Sequence, residues 1–250
     1  MSPAEFQRPW PVVRFDEIDS TNEEARRRAA SGDFGPCWLL ADRQSAGRGR
    51  LGRAWDSPSG NLFATALFLF PRPPSEAALA CFSAGLAVIE AARTTGVLTS
   101  GLALKWPNDV LAGPAKLAGI LIETGISGGK LWMAAGFGVN VATAPVRSDR
   151  ETSCLADLPG GQGLAASRYL VGLDIAFRAR LLRLLGEGFE PTRLDWLAHA
   201  AHMGQRVELT PPTGRITGIM RGLDHDGALI IALDDGGLYN VRAGEISLLG

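Results

Sequence analysis

The sequence predicts an α+β fold: a mixed central sheet with flanking helices over residues 1–204, then a small SH3-like β-barrel over 205–250. Three observations predict it. Short apolar runs of strand length alternate with stretches of helical period in the first part. Between Leu102 and Val141, four strand-like runs are joined by tight glycine-containing turns. From Gln205 the texture changes, and about five short β-rich runs follow within about 45 residues.

Val12–Ile18 reads as a strand. A helix starts next, because Ser20 with Glu23 and Thr21 with Glu24 satisfy capping-box spacing; it runs through Arg28 and stops near Gly32. Arg26, Arg27 and Arg28 form its solvated side. Cys37–Ala41 is a short apolar strand, and Asn61–Phe70 a longer one of mixed burial. Ser75 and Glu76 cap a helix reaching about Thr95, with Leu79, Phe82, Leu86 and Ile89 facing the core. Leu102–Lys105, Asp109–Ala112, Lys116–Thr124 and Leu131–Val141 are strands expected at the centre of the sheet. Pro145–Gly163 is read as a flexible connection, and Leu164–Leu185 with Thr192–Ala201 as a helical pair. The last strands are Val207–Leu209, Arg215–Leu223, Ala228–Leu233, Leu238–Val241 and Ile246–Leu248. Turns at Pro211–Gly214, Asp224–Gly227 and Asp234–Gly237 separate them.

A hydrophobic fraction of 46% with 20% charged residues suits a globular chain with a sizeable core. The formal net charge of −1 argues against a general nucleic-acid partner, which needs an extended basic surface. No uninterrupted apolar run reaches about 18 residues, so no membrane partner is expected. Met1–Pro11 lacks the layout of a signal peptide. Cys37, Cys81 and Cys154, odd in number and far apart, fit free thiols in a reducing cytoplasm.

The chemistry is concentrated in a few segments. Asp42–Arg53 holds four arginines and three glycines, with no carboxylate after Asp42. Glycine lets backbone N–H groups approach a ligand, and guanidinium forks match phosphate or carboxylate oxygens in pairs. Such a loop is suited to closing over an anion. Lys116 heads an otherwise apolar strand, which burial alone explains poorly. Asn108 and Asp109 follow Pro107, where a strand is interrupted. His199 and His202 have one-face helical spacing, but no third ligand is evident, so no metal site is assigned to them.

Four motifs fall in one order: Ser20-Thr21-Asn22, the Gln44-to-Arg53 loop, Lys105-Trp106-Pro107-Asn108-Asp109 with Lys116–Glu123, and Gly136-Phe137-Gly138-Val139-Asn140. Through them the chain closely resembles the biotin protein ligases, from about Phe15 to the C-terminus. The resemblance implies the catalytic fold of the biotin and lipoate ligases, related to class II aminoacyl-tRNA synthetases. It implies activation of biotin by ATP, with Mg²⁺, to biotinoyl-5′-AMP, and transfer to a lysine of biotin carboxyl carrier protein. By resemblance, Ser20, Thr21, Asn22, Gln44, Gly47, Arg48, Gly49, Arg50, Lys116 and Gly119 bind biotin. Arg50, Arg53, Trp55, Asn108, Asp109, Lys116 and Asn140 serve ATP, and Lys116, Arg48 and Arg50 carry the catalysis. Leu51 departs from relatives that carry another arginine there.

The reaction itself asks for cations. Two mutually repelling anions must be held together while charge grows at phosphorus. Lys116 would bridge carboxylate and α-phosphate. Asp109 could orient Lys116, bind Mg²⁺ or steer the acceptor, and Asn140 could meet nucleotide or phosphates through its amide. A homodimer through sheet edges is implied by the resemblance alone. The alternatives are a lipoate or octanoate ligase, which the Gly-Arg-Gly-Arg loop disfavours, and a biotin-responsive repressor. The few residues before Ser20 cannot hold a three-helix DNA reader, so no operator binding is expected.

Overall fold

Period-two alternation splits the central strands between two cores. In β2 (Cys37–Gln44), Trp38 and Leu40 enter the larger core while Cys37 and Leu39 enter a smaller one on the opposite face. In β3 (Leu62–Leu69), Ala64, Ala66 and Phe68 take the larger core and Leu67 the smaller. In β7 (Lys130–Val139), Met133, Ala135 and Phe137 oppose Trp132 and Ala134 in the same way. The structure, a computed structural model, describes residues 3–209 and 215–248. The expected turn at Pro211–Gly214 lies outside the described residues.

The first sheet has the strand order β1-β2-β3-β7-β6-β5-β4, with β1 at Val12–Ile18, β4 at Leu102–Lys105, β5 at Asp109–Ala112 and β6 at Ala115–Ser127. Strands β1 and β2 are parallel because helix α2 (Thr21–Ala30) crosses between them; the other neighbours are antiparallel. The sheet is therefore mixed, as expected, but β4 and β5 are not at its centre. The β4–β5–β6 meander grows outward to the edge, and β7 returns to pair with β3 across a long sequence separation. Helices α3 (Ala80–Thr94), α4 (Ala166–Glu187) and α5 (Phe189–Ala198) cover one face and contribute to the larger core; α2 covers part of the other. A short N-terminal helix, α1 (Pro3–Gln7), adds Phe6, and Trp10 packs beside it on Phe68.

Several local expectations are corrected. Ser20 occupies the N-cap position of α2, but its side chain makes no capping hydrogen bond, and Glu23 and Glu24 bind arginines instead of closing a capping box. Pro74–Leu79 is a 3₁₀ segment and the α-helix begins only at Ala80, so Ser75 and Glu76 cap nothing; Pro73 and Pro74 set the entry. The expected core face of this helix is right: Leu79, Phe82, Leu86 and Ile89 are buried. The stretch Pro74–Thr94 is long and apolar enough to cross a membrane, with mean hydropathy 1.4, yet 72% of its window is buried inside this fold. The 145–163 connection is pinned rather than loose. Lys116 N–H donates to Glu151 O, Ser153 N–H to Lys116 O and Leu155 N–H to Asn140 O, with Cys154 and Leu155 buried. Composition alone missed these backbone bonds. His199 lies just past the end of α5 and His202 has φ +66°, so the two histidines do not share a helix face.

The C-terminal strands β8 (Arg206–Leu209), β9 (Ile216–Leu223), β10 (Leu229–Ala232), β11 (Leu238–Val241) and β12 (Ile246–Leu248) form an antiparallel sheet in the order β11-β10-β9-β8-β12, as in an SH3-like domain. Its Val207, Met220, Leu229 and Ile246 join the larger core, so the sheet is fused to the first layer rather than tethered to it. The Asp224–Gly227 turn does more than reverse the chain: the indole N–H of buried Trp106 donates to Gly227 O at 3.2 Å.

Candidate active site

On the α2 face of the first sheet, side chains become very small where β6 and β7 run together. Gly119 pairs with Gly138, and Gly136 pairs with Leu121 and Thr65. A Cβ on Gly138 would lie 2.5 Å from the Trp55 ring, one on Gly119 3.0 Å from it, and one on Gly136 2.1 Å from Asn22 Oδ1. The glycines thus form a floor on which Trp55 and Asn22 rest, leaving a cavity of about 240 Å³. Trp55 is accordingly a wall of the cavity and not a core aromatic, with Lys116 Nζ 5.3 Å from its ring centroid.

At one end lies a buried polar network. Thr21 donates through its backbone N–H (2.8 Å) and Oγ1 (3.1 Å) to Gln44 Oε1. Thr65 Oγ1 lies 2.8 Å from Thr21 Oγ1 and 2.6 Å from Asn22 Oδ1, while Asn22 Nδ2 donates to Glu123 Oε2 at 2.8 Å. Gln44 Nε2 donates to Ser57 Oγ at 3.3 Å. Cross-strand geometry explains the assembly: the start of α2 is held over the centres of β3, β6 and β7.

The other end is cationic. Lys116 Nζ sits 2.7 Å from Asp109 Oδ1, both side chains largely buried. The arginine loop folds back on itself through Gly49 N–H to Arg53 O (2.7 Å) and Trp55 N–H to Gly47 O (2.9 Å). A Cβ at Gly47 would meet Trp55 O at 2.6 Å, so glycine is needed there for the loop's shape; Gly47 is not in the cavity wall. Leu51 is exposed at the loop tip with φ +57°. Arg48 pairs with Glu23, and Arg50 donates to Asn108 Oδ1 at 3.2 Å. Asn108 Nδ2 donates to Ile120 O at 2.8 Å, so both ends of this amide hold structure in place. Arg53 pairs at 2.6 Å with Glu245 of the C-terminal sheet. That hydrogen bond draws the Arg53 pKa up and the Glu245 pKa down. Asn140 donates through Nδ2 to Ser153 O at 3.0 Å, leaving Oδ1 as its unpartnered, acceptor-only atom. The Nδ2 group carries a second N–H, which is free to meet nucleotide or phosphates at the cavity wall.

Thus Ser20, Thr21, Asn22, Gln44, Arg48, Gly49, Arg50, Arg53, Trp55, Asn108, Asp109, Lys116, Gly119 and Asn140 line one cavity, drawn from segments over a hundred residues apart. Residues 18–140 match the model of the Biotin/lipoate A/B protein ligase family, and residues 202–249 that of the Biotin protein ligase C terminal domain. A biotin–[acetyl-CoA-carboxylase] ligase of Paracoccus denitrificans is 40% identical over 219 residues, covering 85% of this chain and 90% of that protein. The chain belongs to the biotin protein ligase family. The bifunctional ligase/repressor of Escherichia coli is 33% identical, covering 95% of this chain and 74% of that protein. The biotin protein ligase of Aquifex aeolicus, solved in complex with biotin and ATP, superposes with a TM-score of 0.80 at 29% identity, covering 96% and 98% of the two chains.

This ligase also brings to the site residues to which the sequence assigned no role there. Lys105, Arg147, Asp149, Arg150 and Glu245 surround the cationic end. Thr65 and Glu123 stand behind the wall at the polar end, where they hold Thr21 and Asn22. Lys105 and Glu123 carried a visible signal, as the first residue of the Lys-Trp-Pro-Asn-Asp segment and the last of the Lys116–Glu123 motif. Thr65 is a lone hydroxyl in an apolar strand, and Glu245 lies far along the chain.

Proposed function

We propose that this chain activates biotin with ATP and transfers it to the carrier lysine of a biotin-dependent carboxylase. The observation that carries the reading is the division of one cavity into a neutral hydrogen-bonding end and a cationic end. The ureido ring of biotin is neutral and offers both donors and acceptors, which suits the Thr21–Asn22–Gln44 end. Its carboxylate would point toward Lys116 and the arginine loop, where the α-phosphate of ATP also belongs.

In the first step a carboxylate oxygen attacks the α-phosphorus and pyrophosphate leaves. Lys116 lies where it can face both anions, and its pairing with Asp109 favours an orienting role for that carboxylate. In the second step the acceptor amine attacks the acyl carbonyl, AMP leaves and the amine loses a proton. Among the described residues no group of three His, Cys, Asp or Glu side chains could cage a metal. Magnesium carried by nucleotide phosphates needs only one or two protein carboxylates, and Asp109, beside Lys116, would be one of them. Trp55, spread over Gly119 and Gly138, supplies an aromatic face suited to the adenine. The three free thiols suit a reducing compartment, so we place the protein in the cytoplasm.

The deciding experiment mixes the purified protein with ATP, biotin and a biotin carboxyl carrier domain and weighs the products. A biotin adduct on the carrier lysine is expected. Modification by lipoate in preference to biotin would favour the lipoate reading, and no adduct from either acid would refute both.

A further inference from the structure

The cavity's cations are nearly all engaged. Arg48 is held by Glu23, Arg50 by Asn108, Arg53 by Glu245, Lys116 by Asp109, and Arg150 by Asp149. Lys105 has neither an ion pair nor a hydrogen bond from its side chain to any described residue. It ends β4, whose Leu102 and Leu104 take the core face, so Lys105 stands on the other face, in the cavity wall. Its cross-strand neighbour is Asp109, but that carboxylate reaches Lys116 instead. The charges acting on Lys105 come from Asp109, Glu245, Lys116 and Arg150, all of the same cavity wall. Burial pulls its pKa below the ordinary lysine value, the mark of a cation short of counter-charge.

A desolvated ammonium beside a cavity calls for an anion. Biotin brings a single carboxylate, already matched by Lys116 and the loop, and an acceptor lysine would be repelled. A nucleotide brings further phosphates beyond the α-position. We propose that Lys105 binds the β- and γ-phosphates of the nucleotide and stabilises the departing pyrophosphate. This rests on the ligase reading above. As the carboxylate oxygen bonds to the α-phosphorus, the bond from that phosphorus to the α,β-bridging oxygen breaks. The electron pair stays on the pyrophosphate oxygen, so negative charge on the leaving fragment grows. The Lys105 ammonium meets that charge without transferring a proton.

The test compares wild type with Lys105→Met, which keeps the aliphatic stem, and Lys105→Arg, which keeps the charge. Three quantities are measured: biotin-dependent pyrophosphate–ATP exchange, biotin affinity by calorimetry, and transfer to carrier from chemically prepared biotinoyl-adenylate. Lys105→Met should raise KM for both ATP and pyrophosphate by about 10-fold or more, the scale of one charge-assisted hydrogen bond. Biotin affinity and transfer from the adenylate should stay within about 2-fold, and Lys105→Arg should recover most of the loss. Unchanged pyrophosphate KM in Lys105→Met overturns the proposal, as do equal losses in all three measurements or no recovery with arginine. No biotin-dependent exchange by the wild type would overturn the ligase reading itself.

Discussion

Gly136→Ala adds one methyl group to the centre of the sheet, and the structure fixes what it meets. The new Cβ would lie 2.1 Å from Asn22 Oδ1 and 2.9 Å from its Cγ, distances no packed carbon can hold. Asn22 is 4% exposed and must swing away. It then loses the 2.8 Å bond to Glu123 and the 2.6 Å bond from Thr65. Each costs about 1 kcal/mol net, and more where a buried group is stranded, so a total of about 2–4 kcal/mol is expected. For a chain of this size that lowers the melting temperature by roughly 5–15 °C. Because Asn22 also lines the cavity, biotin affinity should fall by about 10-fold or more. Gly186→Ala is the control: it lies in α4 with nothing within 4 Å of the added carbon. The same chemical change should there raise stability by up to about 1 kcal/mol, since alanine favours helix. Differential scanning calorimetry and biotin titration read both. If Gly136→Ala melts and binds like wild type, the glycine floor does not hold Asn22 as described.

Other expectations follow from the same geometry. Lys116→Ala should lower single-turnover adenylate formation by ~10²-fold or more, about 3 kcal/mol, in a protein that still folds; normal adenylate synthesis would remove Lys116 from its assigned place. Arg50→Gly removes the bond to Asn108 and frees the loop, so adenylate should escape faster and label lysines of bystander albumin. Wild-type levels of both adenylate release and albumin labelling would show that the loop is no lid. Burial pushes the Cys37 thiol up to about 11 and the Cys81 thiol up to about 12. Both should therefore stay protonated at pH 8 and resist alkylation in the native state; rapid labelling of either by iodoacetamide, located by peptide mass, would contradict their raised pKa values.

Much of the fold was legible because its signals are local. Strand β1 at Val12–Ile18 alternates apolar Val13 and Phe15 with charged Arg14 and Asp16, and strand β4 at Leu102–Lys105 is a short apolar run ending in a charge. The arginine loop, Lys116 and the Lys-Trp-Pro-Asn-Asp segment stood out by composition, since charge and glycine are costly to place without a reason. What failed locally was capping: Ser20 has the right spacing, yet its carboxylate partners found arginines.

The sequence by itself determined which residue types meet anions and where strands and helices alternate, because periodicity and side-chain chemistry are properties of neighbours along the chain. Only tertiary structure decided that β7 lies between β3 and β6, since strand pairing joins residues far apart and leaves no local pattern. That pairing lays Gly119, Gly136 and Gly138 side by side to make room for Trp55 and Asn22. It also decided which cations find partners. Arg53 meets Glu245 across 192 positions, while Lys105, two strands from Lys116 in sequence and in the same wall, is left without one among the described residues. Charge pairing depends on distances of a few ångströms, and a linear sequence does not contain them.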